Sequence, residues 1–148
     1  MLTYRDIINA FTKKISKAFL NVDIYTDDTV NGVDSACFYV QLVPGQSITS
    51  TRSTNLNNIM ISVKYYGNKE TEKLDLLDIS NRLHNEFSRS VKVKEKFLHI
   101  SNVETEVLKD EVGYYLDFLV SISYSSNIYI EKEDFEQIQE INISKIIQ

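Results

Sequence analysis

Apolar residues recur at helical spacing in two segments of the chain. The first series is Ile7, Ile8, Phe11, Ile15 and Phe19. It predicts an amphipathic helix over residues 3–20, and Thr3 followed by Asp6 resembles a capping box at its start. The second series is Leu76, Ile79, Leu83 and Phe87. It predicts a helix over residues 70–88, with Asn68 or Thr71 as its cap.

Alternation of apolar and polar residues predicts five strands. They cover residues 22–26, 35–43, 59–66, 97–108 and 114–125. The last is the most regular, because every second residue from Tyr114 to Tyr124 is apolar or aromatic. In the fourth, the alternation slips phase between Ile100 and Val103, which predicts a β-bulge near Ser101 and Asn102.

The order of these elements predicts an α+β fold. Its core would be a mainly antiparallel sheet with two amphipathic helices packed on one face, in the order α-β-β-β-α-β-β plus a C-terminal tail. Residues 1–127 would form one domain and residues 128–148 an extension. That extension is acidic and then rich in isoleucine, and its sequence fits docking on a neighbour or on its own domain.

A polar segment, residues 44–58, separates the second and third strands, and we call it the arm. It is long for a hairpin loop, since two to five residues are usual. Residues 46–58 contain Arg52 but no acid. The arm is either a mobile hairpin tip or a surface that becomes ordered against a neighbouring subunit. For the second case the candidate subunit-interface residues are Gln46, Arg52, Asn55 and Asn57.

Composition narrows the class of protein. Among 148 residues, 43% are hydrophobic and 25% charged, as in ordinary globular domains. The net charge of −5 argues against general nucleic-acid binding. A single cysteine, Cys37, allows no internal disulfide and fits a cytoplasm. The N-terminus lacks signal-peptide order, and no apolar run reaches the roughly 20 residues that span a bilayer.

Candidate chemistry is sparse. His84 and His99 lie on different predicted elements, so a metal or Cys-His site would depend on the fold alone. An acidic group surrounds one hairpin and is best interpreted as a solvated face rather than a paired-carboxylate site. Its members are Glu104, Glu106, Asp110, Glu111 and Asp117. The sequence has no phosphate-binding loop, nucleophile elbow, HExxH or CxxC motif, so we expect no enzyme, cofactor or metal.

The order of elements and one short motif resemble a known family. An early helix, Tyr4–Phe19, precedes an arm with Gln46 and Arg52, and the strand Ile59–Tyr66 reads Ile-x-Ile-x-Val-x-Tyr-Tyr. This resembles the tail terminators of contractile-tailed phages, defective prophages and phage-tail-like bacteriocins. The likeness covers about residues 1–125.

The resemblance implies a structural role without catalysis or cofactor. Tail terminators form a hexameric ring that caps the tail tube, stops its polymerisation, and connects tube and sheath to the neck or collar. The implied partners are other copies of the chain and the tube, sheath and neck or collar proteins. The implied place is the neck end of a virion or phage-tail-like particle, assembled in the host cytoplasm. The alternatives are a head-completion or neck connector protein and a small regulatory binding module.

Overall fold

The computed structural model describes residues 2–26, 36–68, 70–111 and 113–127. Its helices are α1 (Tyr4–Ala18) and α2 (Lys73–Glu86). Its strands are β1 (Asp23–Tyr25), β2 (Cys37–Thr49), β3 (Thr54–Tyr66), β4 (Ser90–Val93), β5 (Lys96–Lys109) and β6 (Tyr114–Asn127). The predicted α+β class and element order are confirmed, and the short strand β4 is an addition to them.

The strands form one sheet in the order β1-β2-β3-β6-β5-β4. Every pair is antiparallel except β1 with β2, which is parallel over three residues. The bulge predicted near Ser101 and Asn102 is present, since the register of β5 against β6 shifts between Ile100 and Asn102. The central pair is β3 with β6, which stay in register over the whole of β3.

The two helices pack on the face of the sheet that carries its apolar residues. From β3 and β6 that face presents Ile61, Val63, Phe118 and Val120, all fully buried. We call it the helix side and the opposite face of the sheet the far face. Helix α1 contributes Ile7, Phe11 and Ile15 to the core, and α2 contributes Leu76 and Leu83.

Each helix begins with hydrogen bonds between its cap residue and the third residue of the helix. The predicted capping box is present in α1, where Asp6 N–H donates to Thr3 Oγ1 at 3.2 Å and Thr3 N–H to Asp6 Oδ2 at 2.9 Å. These bonds lower the pKa of the Asp6 carboxyl. The predicted cap of α2 is wrong, because Asn68 and Thr71 bond to each other in a preceding turn. Helix α2 instead starts after Glu72, whose N–H donates to Asp75.

Stacked aromatic rings join the helices at the centre of the core. The rings of Phe11 and Phe87 lie 4.7 Å apart and nearly parallel, and both side chains are fully buried. Phe38 of β2 packs between Phe19 and Tyr65, at 4.9 Å from each. These contacts hold α1 and the end of α2 against the sheet.

We therefore expect Phe11→Ala to lower the free energy of unfolding by about 3–5 kcal/mol, because it leaves a cavity among rigid neighbours. Denaturant unfolding followed by circular dichroism measures the change. Phe97→Ala is the matched control, since Phe97 is 70% exposed and its loss should cost less than about 1 kcal/mol. Equal losses in the two variants would contradict this description of the core.

Candidate assembly surface

The arm is a continuous β-ribbon, so the prediction of a long loop over residues 44–58 is wrong. Strands β2 and β3 stay paired out to Thr49 and Asn55, and only residues 50–53 form the turn. Ser50 N–H donates to the Thr54 carbonyl at 3.1 Å and closes it. The β3 half of the arm also pairs with β6, from Asn58 opposite Ser123 to Thr54 opposite Asn127. The arm is thus ordered within a single copy of the chain.

A bulge in β2 reorients the side chains of the arm. The register shifts between Pro44 and Ser47, so one additional residue of β2 lies in this stretch. Gly45 is required there, because a Cβ at this position would lie 2.1 Å from the Asn58 carbonyl oxygen. Without the extra residue Ile48 would share a face with Phe38 and Val40. With it, Ile48 pairs with Leu56 on the far face, and Ser47 turns to the helix side.

On the helix side, the polar groups of the arm satisfy one another. Asn57 is 8% exposed; its Oδ1 accepts a hydrogen bond from Ser47 Oγ, and its Nδ2 donates to Ser126 Oγ, each at 2.7 Å. One side chain therefore ties β2, β3 and β6 together beyond the end of the apolar core. This role of Asn57 depends on strand register, which its sequence context does not reveal.

On the far face, the arm exposes apolar side chains. Ile48 and Leu56 are opposite each other and are 50% and 38% exposed, and Val43, directly before the arm on the same face, is 47% exposed. Sequence reasoning missed these residues, because the arm was interpreted by its polar members. The signal that could have found them is the Pro44-Gly45 pair, which can mark a bulge inside a strand as well as a turn.

The other predicted interface residues lie at separate places along the arm. Gln46 is exposed in the bulge, and Arg52 is exposed in the turn at the tip. Asn55 is half-buried where β2, β3 and β6 are side by side, opposite Thr49 and Ser126. The fold thus does not gather the four residues into one cluster, and their contact with a subunit stays a prediction.

At the other end of the far face, four tyrosines form a row across four strands. Tyr25, Tyr39, Tyr66 and Tyr115 have successive ring-centre distances of 5.7, 5.6 and 5.1 Å. Burial raises the pKa of the Tyr66 phenol to about 12, with further contributions from Tyr115 and nearby acids. Tyr39 is buried at 7% exposure and the other three tyrosines are half-buried, so the row presents only part of its aromatic area on the far face.

Three carboxylates lie beside this row on the far face. Glu106 is opposite Asp117, and Glu104 is opposite Leu119. Asp117 accepts a hydrogen bond from Ser62 Oγ at 2.9 Å and also lies opposite Lys64. Both glutamates are exposed, which matches the interpretation of a solvated acidic face.

The described residues offer little that resembles catalytic geometry. His84 is exposed on α2 with Nε2 3.2 Å from Thr105 Oγ1, while His99 is exposed on β5 and Cys37 is buried in β2. A shallow depression of about 320 Å³ lies between the end of α2 and the bulge of β5, and His84 is its single titratable lining residue. Within the described ranges, no three His, Cys, Asp or Glu side chains are grouped to hold a metal. Neither described helix is long and apolar enough to cross a bilayer.

Comparison with known proteins agrees with the fold. A family model described as a phage tail terminator protein matches residues 6–136. No curated protein sequence matches the chain. One solved structure, of a protein whose name does not mention a function, superposes with a TM-score of 0.56 at 9% identity. That match covers 89% of this chain and 100% of the other, and at such low identity it shows a shared fold alone.

The tyrosine row predicts a pH dependence. Since the Tyr66 phenol has an ordinary pKa of 10.0 and a folded-state pKa of about 12, ionisation is easier in the unfolded chain. Its contribution to stability is complete below pH 10 and is lost as the pH rises through about 12. Tyrosinate absorbance of the folded protein should show a late step that Tyr66→Phe removes. A late step of unchanged size in Tyr66→Phe would assign it to another tyrosine.

Proposed function

We propose that this chain, which belongs to the phage tail terminator family, forms a ring that caps the tail tube and stops its polymerisation. The family places the protein in the phage tail as a structural component. In our proposal the ring is hexameric, sits at the neck end of the tail, and connects tube and sheath to the neck or collar. It is assembled in the host cytoplasm and works by contact, without catalysis or a cofactor.

The observation that carries this proposal is the arm. It is a preformed β-ribbon extending past the apolar core, with Ile48 and Leu56 exposed on one side. Exposed apolar surface next to ordered polar groups is typical of protein–protein contacts. A contact between the arm of one copy and a different surface of the next copy is head-to-tail. Such contacts produce closed rings when the rotation between copies closes.

Arg52 is the residue of the arm best suited to a specific contact. It is exposed at the tip, and residues 46–58 contain no acid that could pair with it locally. A planar guanidinium can bind a carboxylate of another subunit through two hydrogen bonds. We place Gln46 and Asn55 at the same interface, and assign Asn57 the task of keeping the ribbon rigid behind them.

We expect Arg52→Ala to leave the domain folded and to weaken ring closure or tube capping by about 1–3 kcal/mol, the usual effect of truncating an interface arginine. Particles assembled with this variant should show longer or irregular tails, or a lower yield, in electron micrographs. Arg89→Ala is the matched control, because Arg89 is exposed outside the arm. Tails of normal length and yield with Arg52→Ala would contradict the proposal.

The predicted division into a domain over residues 1–127 and an extension over 128–148 remains part of this proposal. The extension lies outside the described residues, while the family model continues to residue 136. We propose that the extension docks on a neighbouring protein. Its acidic first part and isoleucine-rich second part would supply charge and apolar area.

Deleting residues 131–148 should therefore leave the melting temperature of the isolated chain unchanged within about 2 °C, because the described core cluster spans Ile7–Ile122. Incorporation into particles should fall. Differential scanning fluorimetry and quantification of the chain in purified particles measure the two effects. A large fall in melting temperature would instead show that the extension belongs to its own domain.

A further inference from the structure

In the arm, the exposed apolar side chains lie on the far face, whereas in the rest of the sheet the apolar residues lie on the helix side. In the domain the helix side is apolar, but in the arm the helix side carries the Ser47–Asn57–Ser126 network. The far face of the arm instead exposes Ile48 and Leu56. The side of the arm that is free to bind is therefore its far-face side.

The far face changes in character along the strands. At the arm it exposes Ile48 and Leu56 beside the hydrogen-bonded pair Asn58–Ser123, Arg52 is exposed at the tip, and residues 46–58 contain no acid. At the opposite end it carries the tyrosine row with Glu104, Glu106, Asp117 and one cation, Lys64, next to it. With three carboxylates against one lysine, the row end is acidic on balance and complements Arg52, and both ends present apolar or aromatic area.

These two ends cannot meet within one chain. Asn55 in the arm and Tyr66 in the row are eleven residue steps apart along β3, which is roughly 36 Å of extended strand at about 3.3 Å per step. The strand between them is paired on both sides and cannot fold back. A contact between the ends must therefore join two molecules.

We infer that the far-face side of the arm in one copy packs on the tyrosine row of the next copy, with Arg52 next to Glu106. This inference rests on the ring proposed above and names the surface that receives the arm. The occupant is a second copy because the complementary surface is present on this chain itself. Two different patches that bind each other give a head-to-tail contact, as a ring requires.

The chemistry of the two patches suits such a contact. Tyrosine rings offer rigid area for Ile48 and Leu56 and keep their hydroxyl groups at the polar rim. A guanidinium can lie over a tyrosine ring and at the same time bond to a carboxylate. The arm is already ordered, so docking costs little additional conformational entropy.

Photo-crosslinking in assembled particles tests the contact directly. The full-length chain with benzoylphenylalanine in place of Ile48 is incorporated into particles, irradiated, digested and analysed by mass spectrometry. We expect adducts between two copies that join residue 48 to a peptide containing Tyr66 or to one spanning Glu106–Tyr115. The same photo-residue at Leu74, which is 69% exposed on α2, is the control and should not give these adducts.

Charge reversal tests the pairing of Arg52. Arg52→Glu and Glu106→Arg should each lower the yield of the copy-to-copy adduct about tenfold. Combining the two reversals should restore most of the yield. Glu95→Arg, at an exposed turn residue outside both patches, is the matched control and should leave the yield unchanged.

Adducts from residue 48 to the helix side of another copy, to the tube protein alone, or to no protein would each overturn the inference. Failure of the double reversal to restore the yield would also overturn it.

The tail-length measurement on Arg52→Ala distinguishes a failure of this inference from a failure of the proposed capping function. Altered tails with an adduct only to tube protein would keep the capping function and remove the proposed receiving surface. Expected adducts with normal tails would keep the contact and remove the capping function.

Discussion

The register between β3 and β6 is the constraint on which the rest of the structure depends. All residues of β3, Thr54–Tyr66, pair with Asn127–Tyr115 of β6 without a shift. A slip of either strand by one residue would turn its core residues, such as Ile61 in β3 or Phe118 in β6, from the helix side to the far face and disrupt the core under the helices. The same register stacks Tyr66 on Tyr115. Core, tyrosine row and arm are therefore consequences of one pairing.

The strands on either side of this central pair are adjusted by bulges. Strand β2 has its bulge at Pro44–Ser47, and β5 has one at Ile100–Asn102. In β2 the extra residue reverses the orientation of everything that follows it, so Ile48 is placed on the far face. Pro44 also removes a backbone donor at this bulge, a usual way to limit unwanted pairing along a strand. A change at Gly45 would thus affect both the path of the arm and the surface it presents.

The sequence predicted those parts of the fold that depend on periodicity. The buried stripe of α1, the apolar phase of β6 and the bulge near Ser101 all leave a regular signal along the chain. The arm does not, because its strands are held by backbone pairing, which tolerates Ser, Thr and Asn. The bonds of Asn57 to Ser47 and Ser126 join residues from three strands, and their partners are known only once the register is known.

An ordered arm changes how assembly can work. A loop that folds on binding would lose conformational entropy at that step, at about 1–2 kcal/mol for each residue whose backbone becomes fixed. Here that entropy is already lost when one copy folds, because pairing to β6 and the Asn57 network order the arm. The apolar side of the arm, with Ile48 and Leu56, stays exposed to solvent in a single copy. Binding can therefore proceed by docking a rigid ribbon, and the strength of the contact is set by how well another surface covers that side.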